Sequence, residues 1–180
     1  MDTFESITTK FDVREFSGQD VKSEIKLKII EAARSSGTGL NTQHWRFIVV
    51  ENKDNLKKLA EDSTSGSWVA GANFAVIVLT NPKYSFHLID AGRALQNMQL
   101  AAWNYGVASG VFTGIKQEKL RNDFGIPDEL AVPVIIGFGY ATGNPTDMRK
   151  NRLALDKLVY YEHYIKSINH NERKSSSQAE

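Results

Sequence analysis

"EAARSSGTGLNTQHWRFIVV", residues 31–50, contains the junction that decides the fold. It opens as the end of an amphipathic helix and closes as a short buried strand. Between them lie Gly37, Thr38, Gly39, Asn41, Thr42 and Gln43, then Trp45 and Arg46. Upstream, residues 20–34 place Ile25, Ile29, Ile30 and Ala33 on one stripe with Lys and Glu opposite. That spacing predicts a helix with Asp20 or Ser23 as N-cap, ended by the glycines at 37 and 39. Downstream, "RFIVV" (46–50) predicts a strand. A loop at such a junction is a common place for a ligand in sheet proteins. Asn41 and Gln43 each bring a donor and an acceptor, Thr38 adds a hydroxyl, and glycine lets backbone N–H groups approach closely. The set suits a polar heterocycle or a ribityl-like polyol. A loop whose amides only satisfy its own backbone would have the same composition.

Outward from this junction, "NLKKLAED" (55–62) reads as a surface helix and "FAVIVLT" (74–80) as a strand covered on both faces. Residues 88–105 carry Ala91, Leu95, Met98, Ala102 and Tyr105 at helical spacing, extended by Ala94 and Ala101, and predict the central core helix. A strand over 106–112, a helix over 116–124 and a buried strand over 132–141 follow. The class is α/β or α+β, a central sheet covered by helices. With no internal repeat or linker, residues 1–166 read as one domain, and the polar stretch 167–180 as a frayed tail.

The chain has 180 residues, 41% of them hydrophobic, enough for a core. Lys and Arg number 22 against 21 Asp and Glu, a balance that points away from nucleic acid or an anionic membrane as partner. Cysteine is absent, which removes disulfides and thiolate metal sites. No basic-then-apolar leader and no apolar run of about 20 residues is present, so a cytoplasmic protein is expected.

Several motifs fail on inspection. "GFGYATG" (137–143) has a G-x-G after a strand, but Asn144-Pro145 follows where a phosphate-binding helix would have to start. "GTG" (37–39) follows a helix, and "GVASG" (106–110) is one residue away from a nucleophile elbow. His44, His87, His163 and His170 lack metal-ligand spacing, so no metal site is expected. No carboxylate pair stands out as an acid–base couple. Cations gather at both ends, Lys10 and Arg14 before the first predicted helix and Arg149, Lys150 and Arg152 in "MRKNRLALDK". Taken singly they read as solvated charges; only a fold joining the ends would make them a phosphate site.

"TTKFDVREF", "EAARSSGTGLNTQHWRFIVV", "DAGRALQNMQLAAWNYGVASGVFTG", "FGIPDELAVPVIIGFGYATG" and "KNRLALDKLV" occur in an order that resembles the nitroreductase-like flavoproteins, over roughly residues 5–160. The N-x-Q-x-W-R-F block and the D-x-G-x-A-x-Q-N helix together carry the likeness. The resemblance implies an α+β sandwich with a mixed or antiparallel sheet, dimeric with C-terminal exchange. It also implies FMN at the subunit interface and NADH or NADPH as reductant. A nitroaromatic, quinone or similar small-molecule electron acceptor would be reduced by ping-pong hydride transfer. Lys10 and Arg14 look like the basic pair of the family's R-x-S-x-R segment, and Lys150 and Arg152 like its phosphate-gripping K-x-R. Thr38, Asn41 and Gln43 match the flavin-contacting loop. Thr113 and Gly114 fall where backbone amides approach N5 and O4 of the isoalloxazine. No protein side chain is assigned a catalytic role, since the flavin supplies the chemistry. Tyr84 and Phe86, with Trp103, are candidate aromatic neighbours of the substrate. Dehalogenation, flavin breakdown or non-catalytic flavin or nucleotide binding are the alternatives.

Four departures from the family pattern bear on the site. Asp12 stands where the family commonly has Ser; unless it pairs with Lys10 or Arg14, its charge would oppose a phosphate. Phe11 replaces a polar or basic residue. Gly37 and His44 replace two prolines, which implies a less rigid loop. The cover region is short, with only "NPKYSFH" (81–87) between a strand and a helix. Finally, "LDKLVYYEHYI" (155–165) is apolar and aromatic, as an interface or a core-closing helix would be.

Overall fold

The computed structural model describes residues 2–143 and 150–164. The chain divides into two compact units, Met1–Met148 and Arg149–Glu180, each described by itself. Arg149 and the 167–180 stretch lie outside the described residues.

In the first unit the helices are α1 (Thr3–Thr9), α2 (Ser23–Arg34), α3 (Lys53–Glu61), α4 (His87–Asn104) and α5 (Gln117–Phe124). The strands are β1 (Arg46–Val50), β2 (Phe74–Thr80), β3 (Ala108–Phe112) and β4 (Ala131–Gly139). They form one sheet in the order β1-β2-β4-β3, antiparallel at every pairing. The architecture is therefore α+β. A parallel sheet would have needed a crossover helix between each pair of neighbours.

β2 explains the layering. All seven of its residues are buried, because alternate side chains enter two cores on opposite faces. Phe74, Val76 and Val78 join Val134, Ile136 and Phe138 of β4 under α2 and α4, through Ile29, Ala33, Ala91, Ala94 and Met98. Ala75, Ile77 and Leu79 join Leu56 and Leu59 of α3 and Leu120 of α5 on the other side. Phe74 and Phe138 face each other across the ladder and stack at 4.7 Å. Full burial of each such side chain is worth about 1.5–3 kcal/mol. Pro133 would break a regular central strand. It is tolerated because Val78 pairs with Val134 and Thr80 with Ala131, leaving Val132 and Pro133 opposite Leu79 as a bulge.

Some local expectations need correction. α2 starts after Lys22 without a side-chain cap, and Asp20 instead accepts from the Asn73 amide at 3.0 Å. α3 is not only a surface helix, since Leu56 and Leu59 are fully buried, and Asn52 caps it through the Asp54 and Asn55 N–H groups. α1 went unrecognised. It is held to α4 by the buried Trp103, whose indole N–H donates to Thr9 Oγ1 at 2.9 Å. The G-x-G of 137–139 lies within β4, inside the strand expected over 132–141. A Cβ on Gly137 would sit 2.8 Å from the Trp68 ring, and one on Gly139 2.8 Å from that of Phe16. These glycines make room for rings.

Candidate functional site

Antiparallel pairing runs β1 opposite to β2, β2 opposite to β4 and β4 opposite to β3. The start of β1, the end of β2 and the end of β3 consequently lie at one end of the sheet. Three of the segments singled out in the sequence are attached there: 38–43, 81–86 and 113–114.

The 38–43 loop is strained and internally bonded. Leu40, Asn41 and Gln43 have φ of 52°, 53° and 47°. Such left-handed backbone is unusual for Leu and Gln, costs on the order of 1–3 kcal/mol per residue and persists only where surroundings enforce it. Thr38 Oγ1 accepts from the Gln43 N–H at 3.1 Å, and Asn41 Oδ1 from the Gln43 side-chain amide at 3.3 Å. Part of the loop's polarity therefore does serve the loop itself. Leu40 is 90% exposed, an apolar side chain held outward on this strained backbone.

What enforces the loop is Asp90, completely buried in the first turn of α4. Its carboxylate accepts from the Gly39 N–H at 3.0 Å and lies 3.1 Å from His44 Nε2. Arg93 Nη1 reaches the same carboxylate at 3.3 Å. His44 Nδ1 accepts from the Asn81 N–H at 3.2 Å, so the ring proton resides on Nε2 and is donated to Asp90. The implied loss of rigidity on replacing a proline by His44 is thereby corrected: this histidine is 8% exposed and ties the loop to both β2 and α4. Asp90 was visible in the sequence only as a carboxylate within an apolar helical stripe, and that was its signal.

Tyr84 and Phe86 do gather at this loop. Their rings stack at 5.5 Å, and His44 lies 5.0 Å from Tyr84 and 6.1 Å from Phe86. A Cβ on Gly39 would fall 2.5 Å from the Phe86 ring, so only glycine lets ring and backbone meet. Lys83 Nζ stands 5.1 Å from the Tyr84 ring centroid. Trp103, by contrast, belongs to the α1–α4 contact.

Thr113 is exposed and Gly114 half-buried beyond β3. The Gly114 carbonyl accepts from the Thr64 N–H at 2.9 Å, and a Cβ there would collide with Ser65 Oγ at 2.5 Å. Behind this pair, Lys119 bridges the buried Asp62 and Asp123. Hydrogen bonding, first to Asp62 and then to Asp123, lifts Lys119 above the usual lysine range, and Lys119 holds Asp123 below the usual carboxylate range.

Lys10 and Arg14 lie on an extended segment that crosses beside β3 through an Asp12–Ser109 bridge. Arg14 is exposed, whereas the Lys10 side chain is 12% exposed and its ammonium lies 2.6 Å from Asp12 Oδ1. Asp12 thus pairs with Lys10, one of the two outcomes its position allowed. Lys150 and Arg152 fall in the second unit, where Arg152 is exposed and donates to the Asn151 carbonyl at 3.0 Å. Among the described residues no cluster of His, Asp or Glu could hold a metal ion, and no helix is long and apolar enough to cross a membrane.

The amides and hydroxyl of 38–43 and the flanking aromatics at one sheet end have the chemistry to meet a flat polar ligand, while beside β3 Asp12 sets a negative charge against Lys10 and leaves Arg14 exposed. The family model for the nitroreductase family matches residues 7–81 and 65–140. A Methanothermobacter thermautotrophicus protein with the provisional name NADH dehydrogenase/NAD(P)H nitroreductase is 32% identical over 154 residues, 81% of this chain and 80% of its own length. A Bacillus subtilis FMN reductase [NAD(P)H] is 27% identical over 191 residues, covering 91% of this chain and 75% of that protein. The solved structure of a Bacillus subtilis nitroreductase superposes with a TM-score of 0.83 at 18% identity, over 97% of this chain and 79% of the other. The matched blocks include the Asp90-locked loop and the core helix that locks it, and the chain belongs to the nitroreductase family.

Proposed function

We propose that this chain is an FMN-dependent NAD(P)H oxidoreductase that passes hydride to nitroaromatic, quinone or similar acceptors by ping-pong turnover. Family membership and a relative named as an FMN reductase using NAD(P)H support the cofactor and the reductant. The observation that carries the site is the strained 38–43 loop, fixed by a fully buried carboxylate and flanked by Tyr84 and Phe86.

Bound FMN supplies a ring that accepts hydride at N5 and yields it again. The chain's part is to bind and orient. Thr38, Asn41 and Gln43 offer hydroxyl and amide groups to the ring and ribityl chain. The backbone N–H groups of Thr113 and Gly114 would be donors to N5 and O4, where they would stabilise an electron-rich ring. Lys10 and Arg14 in the first unit, and Lys150 and Arg152 in the second, would be the cations available to the phosphate. Tyr84 and Phe86 exclude water and offer faces to an aromatic acceptor. Because reductant and acceptor share one aromatic pocket, they bind in turn.

The assembly is a homodimer in this reading. Leu155, Leu158, Tyr161 and Tyr164 are 74%, 56%, 83% and 76% exposed on the chain alone, which suits a segment covered by a second copy. Static light scattering showing only monomer at micromolar concentration would remove that part of the proposal. A cytoplasmic setting accompanies the use of NADH or NADPH.

Colour and kinetics test the whole reading. The purified protein is expected to absorb as a flavoprotein and to bleach with NADH or NADPH without oxygen. Double-reciprocal plots against a quinone should be parallel; intersecting lines overturn the shared pocket. A protein that stays colourless after incubation with FMN overturns the function.

A further inference from the structure

The Lys10–Asp12 pair joins a largely buried lysine to a half-exposed carboxylate that is tied to the core from behind. Asp12 Oδ1, already 2.6 Å from Lys10 Nζ, also accepts from Gln99 Nε2 at 3.0 Å. Gln99 is 4% exposed, and the same amide nitrogen donates to Ser109 Oγ, itself on a residue 1% exposed, at 3.0 Å. The backbone repeats the tie, with Asp12 bridged to Ser109 and the Val13 N–H donating to the Ser109 carbonyl at 2.8 Å. Core helix α4 and strand β3 thus favour the position of the carboxylate beside Lys10, through the Gln99 amide and the backbone bridge. Within about 8 Å, dissolved salt at physiological strength screens such a charge only in part, although water around the exposed side of the carboxylate weakens it.

We infer that Asp12 sets the flavin affinity by occupying Lys10, so that this chain distinguishes FMN only weakly from riboflavin and holds both as exchangeable flavins. The inference rests on the reading above in which Lys10 faces the flavin phosphate. Two effects act in the same direction. A phosphate must share Lys10 with a carboxylate that the buried Gln99 amide favours at that position, and it must approach that carboxylate's negative charge. Riboflavin lacks the phosphate and feels neither effect. The lost interaction therefore appears in the ratio of the two affinities rather than in flavin binding as a whole.

The experiment titrates the full chain, stripped of flavin, with FMN and separately with riboflavin, following quenching of flavin fluorescence. Asp12→Asn keeps an oxygen for Gln99 while removing the charge; Asp12→Ser is a second variant, and circular dichroism melts establish that each is folded. For the unaltered chain the two Kd values should lie within about tenfold of each other. Asp12→Asn should tighten FMN by at least about tenfold, leave riboflavin unchanged and steepen the salt dependence of FMN binding. Adding Lys10→Gln should collapse the widened ratio. Equal changes for both flavins, or no change in either folded variant, overturn the role of Asp12 while leaving the flavin site standing. Failure of both flavins to bind any variant overturns the flavin reading itself.

Discussion

The loop at 38–43 and the segment at 10–14 are both polar stretches assigned to the same cofactor, yet they are built in opposite ways. The loop sits on strained backbone and is held by a carboxylate removed from water, so its donors and acceptors are in place before any ligand arrives. The N-terminal segment spends one of its two cations on its own aspartate. One region is preorganised and the other is self-neutralised. In the proposed reading, ring and phosphate recognition are therefore separable, and most of the binding free energy should come from the ring side.

The strongest way to break this contrast is to remove the lock. Asp90→Ala leaves the Gly39 N–H and His44 Nε2–H buried without an acceptor and should cost on the order of 3 kcal/mol. Chemical denaturation should show that loss, and flavin binding should fall with it for FMN and riboflavin alike. If stability drops and flavin affinity holds, the loop is not the ring site. Gly39→Ala is more local, since it drives a methyl into the Phe86 ring, and overpacking of this kind costs about 1–3 kcal/mol. Its thermal midpoint should fall less than that of Asp90→Ala, with the Michaelis constant for an aromatic acceptor rising.

Arg152→Ala sharpens the other side. In the proposed reading, Lys10 is engaged by Asp12, and Arg152 counts for more at the phosphate. FMN should weaken about tenfold, roughly 1.4 kcal/mol, with riboflavin unaffected. Unchanged retention of FMN on purification would take Arg152 out of the site. The smallest effect is expected at Asp123→Asn, behind Thr113 and Gly114, which removes the exposed partner of Lys119 and leaves the buried Asp62 paired. Asp123 is depressed chiefly by its hydrogen bond from Lys119, so its contribution is present above the ordinary 3.8 and lost as pH falls through the lowered value. Lys119 is raised, so its own contribution is complete below 10.5 and lost only as pH climbs past its elevated value. Melting curves of the variant should differ slightly from the parent at neutral pH and converge with it in strong acid. A constant difference across that acid range would mean that packing, not charge, is responsible.

Much of this protein was readable from its residues. β2 falls on the expected 74–80 and β1 on 46–50, because a run of β-branched and aromatic residues between polar breaks has few other uses. The α4 stripe was legible at its Ala and Met positions for the same reason of period. The loop around Asn41 and the aromatics at 84 and 86, singled out separately in the sequence, meet at one end of the sheet. What stayed hidden is what depends on distant parts of the chain meeting. Asp90 looks like any first-turn acid until His44 arrives from 46 positions away. Gln99 reads as a polar interruption in a helix until Asp12 and Ser109 flank it. The bulge that accommodates Pro133 exists only in the pairing of β4 with β2. α1 escaped because seven residues give too little periodicity to declare a helix.

Gly110 in β3 faces the Val13 carbonyl on one side, and a Cβ there would also lie 2.7 Å from the Trp68 indole. The missing side chain is thus the seat on which the arm bearing Lys10 and Arg14 comes to rest. A single methyl planted at that depth would lift the arm from its berth and be felt several residues away, at charges it never touches.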